Sequence, residues 1–223
     1  MEENLPQPAA VPVRIHPGIS SAFGHAWDTL KKYFPEMILI LGILILFSLP
    51  MGLVDAFADK HSFGHLFFSL FNVAYGLIIM APLSYGANWL CLRAVRGESF
   101  NVQEMFDAYR QTLQIILANI LVGAVVGIGF ILLIIPGIIF ACRLSQVSYL
   151  VMDKKLEAVE AVRTSWSMTA GFSWTIFGMG IVSFFVILLG IIALIVGVFP
   201  AIMWISVAFA ALYHAITQRV TQS

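Results

Sequence analysis

LQIILANILVGAVVGIGFILLIIPGIIFAC, residues 113–142, contains no Asp, Glu, Lys or Arg. A helix needs roughly 20 apolar residues to cross about 30 Å of hydrocarbon, so this stretch is long enough to cross twice if the chain turns within it. Pro136-Gly137, inside LLIIPGIIF, supplies the turn, since proline cannot continue a helix that is already running. Working outward, residues 37–54, 66–92 and 171–218 are equally free of those four residue types, and Pro200 in VGVFPAIMW divides the last of them. The chain therefore reads as an all-α polytopic membrane protein. Six transmembrane helices are expected at about residues 36–57, 65–94, 111–135, 137–152, 172–198 and 200–218, joined as three hairpins.

Composition leads to the same class. Hydrophobic residues make up 60% of the chain and charged residues 11%, a balance found in membrane domains and not in soluble ones. Zero formal net charge leaves no basic footprint for nucleic acid. Cys91 and Cys142 sit in or beside apolar spans without CxxC spacing and read as small buried hydrophobes. Residues 1–17, acidic at the start and carrying four prolines, read as a disordered lead-in and not as a cleavable signal. Residues 18–219 form one membrane domain. No metal, phosphate or lipidation motif is present, and no cofactor is expected.

Orientation follows from the basic residues. Arg14, Lys31, Lys32, Arg93, Arg96, Arg110, Lys154, Lys155, Arg163 and Arg219 fall on one side of the expected spans, and the opposite loops hold Lys60. By the positive-inside rule both termini face the cytoplasm, with Trp27, Trp89, Trp166 and Trp174 near the cytoplasmic ends and Trp204 near the other face. Each hairpin is preceded by a stretch of helical periodicity, at about residues 18–34, 101–112 and 155–170. The apolar stripes are Ile19, Phe23, Ala26, Trp27, Leu30 and Phe34; then Val102, Met105, Phe106, Tyr109 and Leu113; then Leu156, Val159, Val162 and Trp166. Such helices are expected to lie in the cytoplasmic headgroup plane. Ala26-Trp27, Ala108-Tyr109 and Ala161-Val162 hold comparable places in the three units, which suggests an internal repeat.

The segment IIPGIIFACRLSQVSYLVMDKKLEAVEAVRTSWSMTAGFSW carries Pro136-Gly137-Ile138, Arg143, Ser145, Tyr149, Asp153, Glu160-Ala161, Ser165-Trp166 and Gly171. With the earlier RGESFNVQEMFDAYR, from Arg96 through Phe106 to Arg110, it resembles a superfamily of bacterial six-helix inner-membrane proteins. One branch of that superfamily is the membrane domain attached to some glycerophosphoryl diester phosphodiesterases. About half the chain carries these motifs. The resemblance implies fold and a place in the cell inner membrane. It imports no enzyme, because the phosphodiesterase domain of that branch is a separate soluble barrel for which this chain has no room.

Arg143 is the sharpest candidate for function. It stands about seven residues from the Pro136 turn, roughly 10 Å into the membrane at 1.5 Å per residue, and intramembrane charge is costly unless it has a task or a partner. Gln146 follows three residues on, with Tyr149 beyond it. Three readings stay open: snorkelling outward or to carbonyls freed at Pro136, anchoring to polar side chains such as Asn72 or Asn119, and holding a lipid phosphate or anionic substrate. The outer loop offers Asp55, Asp59, His61 and His65, which read as ordinary loop residues more than as a metal site. Neither a protease's Ser-His or Asp-Asp set nor a transporter's midplane carboxylate is evident. Gly123 and Gly127, with Gly129, form a GxxxG surface on the third span, and Gly171, Gly178, Gly180, Gly190 and Gly197 line the fifth. These two spans are therefore expected at the packing centre, with a homodimer face open to either.

The expected function is non-enzymatic: organising membrane lipid or a partner protein from the cytoplasmic face, through Phe23, Trp27, Lys31, Lys32, Phe106, Arg110, Arg163 and Trp166. The alternative is a transporter or lipid-handling protein with a cavity reaching Arg143, Gln146 and Tyr149. The discriminating observation is whether a cavity opens at Arg143 or the helices close over it.

Overall fold

Backbone N–H and C=O groups inside hydrocarbon find no water, so a chain this apolar satisfies them within helices. The computed structural model describes residues 16–57, 64–192 and 197–222, and among these residues every regular element is helical. The elements are α1 (Ile19–Lys32), α2 (Phe34–Phe57), α3 (Gly64–Tyr75), a π-helical segment (Gly76–Met80), α4 (Ala81–Arg96), a 3₁₀ helix (Val102–Gln111), α5 (Thr112–Leu132), α6 (Ile134–Leu144), α7 (Val147–Asp153), α8 (Ala158–Met168), α9 (Ser173–Ile192) and α10 (Val198–Gln222). Six stretches are long and apolar enough to cross a membrane: Phe34–Gly52, Phe67–Arg96, Val102–Leu132, Ile134–Asp153, Ser173–Ile192 and Val198–Val220. The lead-in reading falls outside the described residues except for its last two. Asp59 and His61 of the outer loop lie outside them as well, as do the side chains of Asp55 and His65.

Both proline turns are resolved in the same way. The chain bends at Leu133, extended at φ −165° and ψ 153°, so that Pro136 is the third residue of α6; the first α-type bond there runs from Gly137 N–H to the Leu133 carbonyl at 3.3 Å. Pro200 is likewise third in α10, where Ala201 N–H reaches the Gly197 carbonyl at 3.3 Å. A first-turn N–H has no partner within its helix, so proline sacrifices nothing there. The turn thus falls three residues before Pro136 and not at it.

Two expected single helices are broken. In the second span, Pro82 cannot donate to the carbonyl four residues back, and the chain widens into the five-residue π segment just before it. Tyr109 of the 3₁₀ helix donates its hydroxyl to the Ile79 carbonyl in that segment at 2.9 Å. The fourth span breaks between α6 and α7 at Ser145-Gln146, where Ser145 bonds back to the Cys142 carbonyl at 2.9 Å.

The packing centre corrects the expectation built on glycine. A Cβ added at Gly123, Gly127 or Gly180 would meet nothing within 4 Å, so α5 and α9 do not approach their neighbours there. α10 is central instead, with Val207, Ala208, Ala210, Ala211, Leu212, Tyr213 and Ile216 all fully buried against α1, α4 and α9. Alanine permits that approach without the entropic cost of glycine. Glycine is needed at Gly86, whose Cβ would collide with the Met105 backbone carbonyl, and at Gly137, whose Cβ would lie 2.6 Å from the Phe130 ring. At Gly178 a Cβ would lie 2.5 Å from Ile19 Cδ1, placing α9 hard against α1.

Two side-chain expectations also shift. Trp204 does not anchor the opposite face: its indole N–H donates to the Phe23 carbonyl at 2.9 Å, and its ring lies 5.5 Å from Phe23 and 5.2 Å from Trp27. In α8 the buried stripe is Ala158, Ala161, Ser165 and Met168, one position off the expected one, and Val159 is exposed. Small residues face α5 and α7 because α8 lies close to them, and its first N–H is taken by Gln114 of α5 at 3.1 Å.

At the basic end a bidentate pair joins distant elements. Arg96, last in α4, donates to both carboxylate oxygens of Asp153, last in α7, at 2.6 and 2.8 Å, and Tyr213 of α10 donates to the same carboxylate at 3.0 Å. With the Asp153 side chain 12% exposed, this pair is worth more than a surface bridge.

Gly86→Ala should lower stability by about 1–3 kcal/mol through overpacking against Met105, whereas Gly123→Ala should be neutral or slightly stabilising; thermal unfolding of both variants in one detergent checks the contrast. A double-mutant cycle of Arg96→Gln and Asp153→Asn should return a coupling of about 1–3 kcal/mol, and simple additivity would mean that the pair holds nothing together.

Candidate functional site

The break after α6 sets the site. A continuous helix would give the Arg143 carbonyl to the N–H four residues on; here it accepts from Ser165 Oγ at 2.7 Å instead. Thr169 Oγ1 lies 3.1 Å from the same carbonyl and 2.7 Å from the Ser165 carbonyl, and its single proton serves one of them at a time. These hydroxyls fix α8 against the end of α6, and they bring Trp166 beneath the Arg143 side chain. The guanidinium carbon stands 4.6 Å from the Trp166 ring centre, and Phe140 packs on the same indole at 5.4 Å. Trp166, read from sequence as an interface anchor, is thus a half-buried platform for the arginine.

Beyond this platform the chain turns through Gly171, at φ +91°, into α9. That turn leaves a cavity of about 580 Å³ lined by Ile135, Ile138, Ile139, Cys142, Arg143, Gly171, Ser173, Trp174 and Phe177. A second cavity of about 420 Å³ continues along the same seam; it shares Cys142 and Phe177 and extends past Gly180 to Phe184 and Phe209. Gly180 keeps the floor of the seam open. The second cavity is lined by no charged side chain, and the first is lined by that of Arg143. Among the described residues it has no carboxylate within 4.0 Å and no side-chain hydrogen bond, and its Nε is buried without a partner.

The three residues grouped from sequence do not share this space. Gln146 is fully buried, with Nε2 on Ser145 Oγ at 3.1 Å and Oε1 unpartnered. Tyr149 is buried and stacks on Tyr213 at 5.1 Å, its hydroxyl 3.5 Å from the Ser206 carbonyl. The grouping assumed one unbroken helix, and the break at Ser145-Gln146 re-aims everything after it into the core. Asn119, weighed as an arginine partner, donates to the Ile115 carbonyl of its own helix at 2.9 Å.

The interface candidates divide by charge pairing. Arg110 lies 3.4 Å from Asp107. Arg93, counted among the basic residues of one side but not among the interface candidates, bonds Glu98 at 3.2 Å and also Glu104, and it lies over Trp89 at 5.0 Å. Lys31, Lys32, Lys154, Lys155, Arg163 and Arg219 are exposed and have no carboxylate within 4.0 Å among the described residues. Lys31 sits 5.1 Å over the exposed Trp27 ring, and Phe106 is exposed beside Tyr109. The Arg96, Asp153 and Tyr213 cluster was also missed, because no local spacing joins residues so far apart in the chain.

Six apolar helices of spanning length define the class as a multi-pass integral membrane protein. No family model, curated protein or solved structure matches the chain.

Replacing both hydroxyl donors, as Ser165→Ala with Thr169→Val, leaves the Arg143 carbonyl unserved and should cost about 1–3 kcal/mol. Thermal unfolding reads the loss, and tryptophan fluorescence of Trp166 should shift as the arginine loses its seat. An unchanged spectrum would mean that α8 is held in place by other contacts.

Proposed function

We propose that this is a non-catalytic protein of the bacterial inner membrane, its six spans paired as three hairpins with both termini in the cytoplasm, and that it organises anionic lipid at the cytoplasmic leaflet. The bacterial setting rests on the resemblance carried by Pro136-Gly137, Arg143, Tyr149, Asp153 and Ser165-Trp166. The observation that carries the reading is the set of exposed cations with no carboxylate within 4.0 Å among the described residues, Lys31, Lys32, Lys154, Lys155, Arg163 and Arg219, with Trp27, Phe106 and Val159 exposed as well; the positive-inside rule assigns these cations to one face. Each Lys or Arg near an anionic leaflet contributes about 1 kcal/mol of attraction, and aromatic rings at headgroup depth hold the position. α1, the 3₁₀ helix and α8 bury one side in the bundle and turn these groups outward, which suits a lipid surface better than a solvated linker does.

A second reading, lipid handling through the membrane, is favoured by one observation: the helices do not close over Arg143, and a cavity of about 580 Å³ opens there.

Spin-labelled lipids in reconstituted membranes test the first reading. Labelled phosphatidylglycerol should associate with the protein severalfold more than phosphatidylcholine, and Lys31→Gln with Lys32→Gln and Arg163→Gln should bring the ratio close to one. Equal association with the wild-type protein would reject leaflet organisation by charge.

A further inference from the structure

We infer that the seam between α6 and α9 is a site for one phospholipid molecule, with its phosphodiester at Arg143 and an acyl chain along the apolar walls. The inference rests on the second reading above and assigns that reading its ligand.

The cation comes first. A guanidinium offers five N–H donors in its plane, and its contact with the Trp166 ring, 4.6 Å from the guanidinium carbon to the ring centre, supplies none of them with a hydrogen-bond acceptor oxygen. The donors are left without protein partners, Nε even where it is buried. An ionised group so placed is costly until an anion meets it, and none of the described carboxylates reaches it. Phosphate matches the in-plane fork, which can give two parallel bonds to two oxygens.

The walls exclude a purely polar ligand. Ile135, Ile138, Ile139, Trp174 and Phe177 line the cavity together with the arginine, so a free phosphate ion held there would lose water against apolar walls. A phospholipid loses nothing there, because its chain belongs against Ile and Phe. The two cavities, of about 580 and 420 Å³, lie end to end along one seam, and each has the size of an ordinary small-molecule site. Their order is that of the ligand: the charged end lies at Arg143 and Ser173, and the apolar end at Ile181, Phe184 and Phe209. A third cavity of about 520 Å³, between α2 and α10, has comparable walls, among them Phe34, Ile38, Ile45 and Phe199, but no charged residue. It serves as an internal contrast, since apolar volume without a cation gives a lipid no address.

The test uses the full chain, delipidated in mild detergent, reloaded from mixed micelles of phosphatidylglycerol and weighed by native mass spectrometry. The wild type should retain one phospholipid, and Arg143→Gln should reduce the retained fraction about tenfold or more, with Arg143→Lys between the two. Ile139→Trp, at a half-exposed wall residue, should also expel the lipid while leaving the melting temperature unchanged; it keeps the test valid if the arginine variant fails to fold. Millimolar inorganic phosphate should not displace the lipid. The inference is overturned if the wild type retains none, if Ile139→Trp retains as much as the wild type, or if free phosphate competes, which would make the ligand a soluble anion. Movement of fluorescent phosphatidylglycerol in proteoliposomes separates the two levels. Movement of the label by a wild type that retains no bound lipid removes the site and leaves lipid handling standing. A retained lipid without movement removes lipid handling and leaves the site.

Discussion

A backbone carbonyl without a donor inside hydrocarbon costs several kcal/mol, and the joints of this protein form where that cost is met. Phe47, three residues before Pro50 in α2, receives the Tyr75 hydroxyl at 2.8 Å; Ile79 in the π segment receives Tyr109; Arg143 at the α6 break receives Ser165. The Arg143 bond replaces a lost helical one, and the other two stand beside a proline or a π segment, each with a hydroxyl from a different element. α3 is tied to α2, the 3₁₀ helix to the second span, and α8 to the end of α6. Irregularity is thereby converted into tertiary contact, and Arg143 sits at the third of these joints.

Packing is uneven along the bundle. Toward the basic end, α4, α7 and α10 close on one another through Leu90, Leu92, Val151, Leu212 and Ile216, capped by the Arg96 and Asp153 pair with Tyr213. Elsewhere the apolar helices present themselves outward, as at Ile131, 85% exposed, Trp174, 82% exposed, and Ile192, 72% exposed. In lipid such exposure carries no penalty, because acyl chains are as apolar as isoleucine. The consequence for function is geometric. A bundle cinched at one end and open along the α6 and α9 seam can leave a lateral groove without weakening its core.

Much of the fold was legible in the residues. Runs free of charge located the spans, and Pro136 and Pro200 marked where the long ones divide. Arg143 also stood out, since one charge among apolar neighbours needs no partner to be noticed. Its neighbours were less legible. Gln146 and Tyr149 were grouped with it by helical spacing, which holds only while the helix continues, and Ser145-Gln146 ends it. Glycine spacing pointed to α5 and α9 as the centre; Gly129, Gly178 and Gly190 do make close contacts there, but Gly123, Gly127 and Gly180 do not, and the most buried of the six spans is the alanine-rich α10.

The division has a physical cause. Hydropathy, charge and proline act locally and nearly additively along the chain, so the number, length and polarity of the spans are properties of sequence alone. Which face of a helix meets which neighbour depends on its angular position, and a single break rotates everything downstream. The Arg96 and Asp153 pair, Trp166 beneath Arg143 and the open seam beside Phe177 all join residues from separate helices. Only the folded bundle, where backbone repair and close packing choose one arrangement of those faces, could decide them.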